Sequence, residues 1–126
     1  MSALFNLPLA TLLLHTLQAN PHLHDRTVWA DPRPDGVAYC IAGWTVTLAG
    51  AVWGSIPGMV SWRGQWRSVP VLARELLGLT PLQANALIYD VDERQAVDLL
   101  ALWITEARDH QRAQLARLEQ ELERCR

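Results

Sequence analysis

The chain has 126 residues, 50% apolar and 19% charged, which is enough to build one core and too apolar for a disordered chain. A formal net charge of -2 supplies no general attraction to nucleic acid or to an anionic membrane. Two cysteines, Cys40 and Cys125, are too few for a disulfide scaffold, and all 11 basic residues are Arg.

No basic residue stands in positions 1–7, and the Leu-rich run that follows reads as helix. No export leader is therefore expected, and the expected location is the cytoplasm. Asn6 is placed to cap a first helix with Pro8 in its first turn. Leu9, Leu12, Leu13 and Leu17 recur at helical spacing, His15 is expected at a core edge, and Asn20-Pro21 ends the helix. Residues 22–36 read as a loop.

Residues 37–60 carry no charge. The run is long enough to cross a bilayer, and Gly50, Gly54 and Gly58 have the spacing that lets membrane helices approach. Its glycines, Pro57, Thr and Ser lower the hydropathy. The favoured reading is a buried helix over 39–51 followed by an irregular loop. Next, Gly64 between Trp62-Arg63 and Trp66-Arg67 predicts a tight turn or short hairpin. A helix over 69–77 is ended by Gly78. Thr80 and Pro81 open another that runs to about Tyr89. Asp90 or Asp92 starts the last one.

From Asp92 to about Arg124 there is no Gly or Pro, roughly 50 Å of helix. Val97, Ala101 and Ile104, then Leu115, Leu118, Leu122 and Cys125, form a heptad seam, with Arg108 and Gln111 as polar members between them. The first half also holds Leu99, Leu100, Leu102 and Trp103, so it is expected to be buried in the domain. The second half is a narrow Leu stripe among Arg and Glu, with Arg117 and Glu121 as an i, i+4 pair. A helix of that kind is marginal alone and asks for a partner. Cys125, near the end of the seam, is expected to be exposed, as a free thiol or as a cross-link between two chains.

Chemistry is sparse. His15, His22 and His24 with Asp25 lie close in sequence, but no further ligand motif completes a metal site, and surface or capping histidines are the expectation. Cys40 sits in an apolar run that raises a thiol pKa. No nucleophile elbow, phosphate loop or paired-carboxylate pattern stands out, so no enzyme, cofactor or metal is expected. Trp62, Arg63, Trp66 and Arg67 bring together the residue types most enriched at binding hot spots. Residues 71–89 have the cadence of a helix-turn-helix, with Gln83 and Asn85 near a reading face, but no Arg lies between Pro81 and Tyr89 to hold phosphates.

Two stretches resemble a known group of proteins. The first runs from Asn20-Pro21-His22-Leu23-His24-Asp25 through Trp29 to Asp35-Gly36-Val37-Ala38-Tyr39-Cys40-Ile41-Ala42-Gly43-Trp44. The second runs Ala73-Arg74-Glu75-Leu76-Leu77-Gly78-Leu79-Thr80-Pro81-Leu82-Gln83-Ala84. Together they resemble small helical proteins of actinobacteria and their phages, which share a Cys-Ile-Ala-Gly-Trp core and have no assigned activity. The resemblance implies a soluble helical fold and a bacterial or phage source. Where that group often carries Cys-Gly-Thr, this chain has Asp35, Gly36 and Val37, so no two-cysteine metal or redox site is implied. Gly43 is expected to let a neighbouring helix approach, with Trp29 and Trp44 filling the space around it.

The expected fold is mainly α: about four short helices in a domain over residues 1–108, plus one long C-terminal helix with coiled-coil character that projects over 109–126. The expected function is a non-enzymatic interaction module, a homodimer that also binds an unidentified protein. Its candidate contact residues are Arg108, Gln111, Leu115, Leu118 and Leu122 on the helix, and Trp62, Arg63, Trp66 and Arg67 on the hairpin. The alternatives are a DNA-binding regulator using 71–89 and a small membrane protein spanning 37–60.

Overall fold

The computed structural model describes residues 4–126. It is mainly helical, with two small antiparallel sheets set among five helices. Helix α1 spans Leu7–Ala19 and opens as expected, with the Asn6 side chain accepting from the Leu9 N–H at 3.2 Å. The same residue ties α1 to the end of α3 (Val69–Leu77). Its backbone N–H donates to the Leu77 carbonyl at 2.9 Å and its Nδ2 to Leu76 at 3.0 Å. Ala10, Leu13, Leu14 and Leu17 are the buried stripe of α1, while Leu12 and His15 face solvent. His15 thus does not sit at a core edge.

The stretch read as a loop over 22–36 is more ordered than expected. A 3-10 turn over Pro21–Leu23 leads to strands β1 (Ala30–Arg33) and β2 (Gly36–Tyr39), paired antiparallel around Pro34-Asp35. The uncharged run 37–60 is likewise cut into pieces. It supplies most of β2, the short helix α2 (Ile41–Leu48), strand β3 (Val52–Trp53) and the start of β4 (Met59–Trp62). Among the described residues no helix is long and apolar enough to cross a membrane, which removes the reading of 37–60 as a span. Helix α2 is shorter than the expected 39–51 because Tyr39 pairs in β2 and Cys40 is the cap, its sulfur accepting from the Gly43 N–H at 3.4 Å.

Strands β3, β4 and β5 (Gln65–Ser68) form a three-stranded meander. The expected hairpin is present. Arg63 and Gly64 both take positive φ, 50° and 79°, the pairing that a two-residue turn matched to strand twist requires. Helix α3 then ends on Gly78 at φ 69°, with Leu79 N–H donating to Arg74 and Gly78 N–H to Glu75, a Schellman closure. Helices α4 (Pro81–Ile88) and α5 (Glu93–Arg124) both open on reciprocal capping boxes, Thr80 with Gln83 and Asp92 with Gln95.

Two buried clusters hold these elements. One joins α1, α4 and α5 through Leu13, Leu17, Leu87, Leu100 and Ile104; the other joins α2, the meander and α3 through Val46, Val60, Val69 and Leu72. Helix α2 reaches both, with Ile41 in the first and Ala42 and Val46 in the second. Gly43 does admit a close neighbour, but it is the backbone of the segment before β1 and not a helix. A Cβ there would stand 2.6 Å from the Trp29 carbonyl oxygen and 3.0 Å from Tyr39 Cβ. Trp44 fills the adjoining space, its Nε1 donating to the Leu23 carbonyl at 2.9 Å and its ring edge-on to Tyr39. The Trp29 ring instead covers Gly58.

Gly43→Ala and Gly78→Ala test these two close approaches. At Gly78 an added Cβ would overlap the Leu4 carbonyl oxygen, and the positive φ is strained as well. Each variant is expected to lose more than ~1 kcal/mol in denaturant unfolding. A melting temperature within a degree or so of the parent for either would show that the tight backbone contact is absent.

Candidate functional site

Helix α5 changes character at Ala107. Ala96, Leu100, Trp103, Ile104 and Ala107 are its buried residues, and every residue from 108 to 126 is exposed. The bare part of the helix is about 25 Å long. Leu115, Leu118 and Leu122 stand on it at 58%, 55% and 66% exposure, and Arg108, Gln111 and Cys125 are exposed with them.

The position of this stripe around the helix is informative. Leu118 lies about five turns beyond Leu100, Leu122 the same distance beyond Ile104, and Cys125 beyond Ala107. Leu100, Ile104 and Ala107 are buried in the domain. The bare leucines therefore prolong the face that α1 and α4 cover upstream. The centre of the covered half is Leu100, with Val97 and Ala101 only partly buried, so the face follows the helical period more closely than the strict heptad.

The remaining surface of this half is polar and weakly self-paired. Arg112 reaches Asp109 at 3.4 Å with both side chains well exposed, and the expected Arg117–Glu121 pair does not form. Nothing in its own domain competes for the leucines. An apolar stripe framed by Arg and Glu on a projecting helix has the chemistry of a helix-to-helix seam.

The second candidate surface is rearranged by the pleat. Trp62 pairs with Gln65 and Trp66 with Ser61, which places the two tryptophans on opposite faces of the sheet. Trp62 packs inward on the second core cluster, and Arg63 lies over its ring at 5.1 Å. Arg67 shares the inner face with Val60 and pairs with Glu75 of α3. Trp66 alone of the four is a free aromatic on the outer face, 57% exposed, its ring resting on Gly54. Val52 lies in the same cross-strand row as Ser61 and Trp66, and it and Ile56 are also exposed. Val52 and Ile56 fall in the segment read as an irregular loop after the 39–51 helix, where no pattern singles them out. The Val52-Trp53 alternation is the only signal of strand there.

His24 is buried, contrary to expectation, beside Glu93 in a recess of about 320 Å³ lined by Leu17, Gln18, Pro21, Glu93, Arg94, Val97 and Asp98. Burial lowers its pKa, and Glu93 and Asp25 oppose that shift. Asp25 faces away into a turn. It accepts from the Thr27 hydroxyl at 2.6 Å, the Thr27 N–H at 2.9 Å and Arg33 at 2.7 Å, which hold its pKa down at about 2. His22 pairs with Asp35 at 2.8 Å on the surface. Among the described residues no group of three His, Cys, Asp or Glu has the placement to hold a metal ion. Cys40 is buried, and desolvation pushes its thiol pKa up. On α4, Gln83 is engaged with the Thr80 cap, leaving Asn85 as the exposed polar residue of the segment read as a reading helix.

No family model, curated protein or solved structure matches the chain.

The burial of His24 has a pH consequence. Its folded pKa lies below the usual 6.5, so its contribution to stability is complete above that value. As pH falls through 6.5 the unfolded chain takes up a proton that the folded chain refuses, and stability declines. Denaturant midpoints are expected to fall between about pH 7 and about pH 5, and His24→Gln is expected to flatten that slope. An unchanged slope in the variant would place the titration elsewhere; Asp25, at about 2, lies outside this window.

Proposed function

We propose that this chain is a non-enzymatic interaction module that pairs with a second copy through the bare half of α5 and, so paired, binds another protein. One observation carries the reading. A single helix face is buried up to Ala107 and then continues uncovered through Leu115, Leu118 and Leu122. Leucines at that spacing on a helix with no internal Gly or Pro have the pattern of a seam that packs against a second helix. A second copy supplies an identical stripe, and the closed pairing of like surfaces is the commonest form of oligomer.

The outer face of the meander, with Val52 and Trp66, is the surface offered to the other protein. It combines exposed apolar area with an aromatic anchor. The accessory role, in an actinobacterial or phage setting, rests on the resemblance of residues 20–44 and 73–84 and on no feature of the fold.

Light scattering on the eluting full chain tests the pairing. The parent is expected to run as a dimer whose fraction rises with concentration. Leu118→Glu is expected to run as a monomer while keeping the near-ultraviolet signal of the buried Trp103. A parent that stays monomeric throughout the accessible concentration range would sink the reading.

A further inference from the structure

We infer that the two copies pair antiparallel, with the bare halves of α5 side by side and the two globular domains at opposite ends. This arrangement rests on the pairing proposed above, and three features of the chain select it over the parallel one.

The first is the direction in which the bare stripe faces. Leu118 and Leu122 look to the same side of the helix as Leu100 and Ile104, which are buried under α1 and α4. The domain therefore occupies the stripe side of the helix up to Ala107. In a parallel pair both domains would lie at the same level and between the two helices, in the same space. An antiparallel partner meets only the bare half, and its own domain lies at the opposite end of the paired segment.

The second is register. When Leu115 is set opposite the partner's Leu118, Gln111 meets the partner's Leu122 and Arg108 meets the partner's Cys125. Every seam residue matched in this way is exposed in the single chain, and none belongs to the covered part of α5.

The third is charge. Arg112 and Glu119 lie on one edge of the stripe, a heptad apart. In an antiparallel pair that edge faces itself, so Arg112 meets the partner's Glu119 and Glu119 meets the partner's Arg112. Arg112 has only a stretched, solvent-exposed contact with Asp109 to give up. A parallel pair would leave Arg112 and Glu119 without opposite charges, and along residues 108–126 it offers one favourable pair, Glu121 with the partner's Arg126. It would also stack Arg108 on the partner's Arg108 within the seam.

Disulfide trapping on the full chain reads the orientation. Cys125 is the exposed thiol and Cys40 is buried. In the antiparallel pair the two Cys125 stand about 25 Å apart, far past the ~7 Å limit between Cα atoms for a disulfide. Under mild oxidation with diamide, the parent is expected to give no cross-linked dimer. Arg108→Cys with Cys125 retained is expected to cross-link, and Arg108→Cys combined with Cys125→Ser is expected not to. Efficient cross-linking of the parent or of the combined variant would overturn the antiparallel order. So would the absence of cross-linking in Arg108→Cys while light scattering still shows a dimer. A parent with no dimer by light scattering would instead overturn the pairing itself.

Charge exchange supplies an independent readout. Arg112→Glu and Glu119→Arg are each expected to weaken the dimer roughly five-fold at low salt, and the double exchange is expected to restore it. Additive losses in the double variant would show that the two residues do not meet across the pair.

Discussion

The packing of α1 on the first half of α5 decides the rest of the molecule. Leu13 and Leu17 of α1 bury with Leu100 and Ile104 of α5, and Leu87 of α4 closes the same cluster. The Asp92–Gln95 box fixes where α5 starts, and no Gly or Pro interrupts it before Arg124. The rotational phase set by Leu100 in the core is therefore carried out to Leu122. Which side of the bare half is apolar follows from which side of the covered half is buried.

The second core works on a different principle. Around α2, backbone approaches closely because small residues allow it. Gly43 admits the Trp29 carbonyl, Ala42 and Ala73 are almost fully buried, and the rings of Tyr39, Trp44 and Trp53 fill what remains. Trp53 also donates to the Thr47 hydroxyl at 2.9 Å, which ties the meander to α2. This half presents a stiff sheet whose inner face is committed to the core and whose outer face carries Val52 and Trp66. The two candidate surfaces thus belong to the two cores, one to each.

Helices with explicit end signals were legible from sequence. The Asn6, Thr80 and Asp92 caps and the Gly78 stop place four of the five helices to within a residue or two of their observed bounds. Of the strands, the hairpin of β4 and β5 was signalled by Gly64 between its two Trp-Arg pairs, and β1, β2 and β3 were not. β1 contains Asp31, Pro32 and Arg33, β3 is two residues long, and both depend on pairing that a linear pattern does not reveal. The same limit split the Trp-Arg group. Trp62 and Trp66 look adjacent in sequence, but a two-residue turn between alternating strands sends them to opposite faces. His24 was read as a surface residue because one side of the recess that buries it comes from α5, about seventy positions away. The leucine stripe was legible as a pattern. Its alignment with the buried face of the same helix emerged only when Leu100, rather than Val97 and Ala101, proved to be the centre of that face.

An unbroken helix that is core at one end and bare at the other behaves as a stiff beam clamped in the domain. There is no Gly, Pro or internal loop between Trp103 and Leu122 at which bending strain would collect. A transverse load applied at the leucines is therefore felt at the clamp, by Leu100, Trp103 and the residues of α1 that grip them. The protein has no joint between the part that would touch a partner and the part that keeps it folded, so its contact surface and its core share one mechanical element.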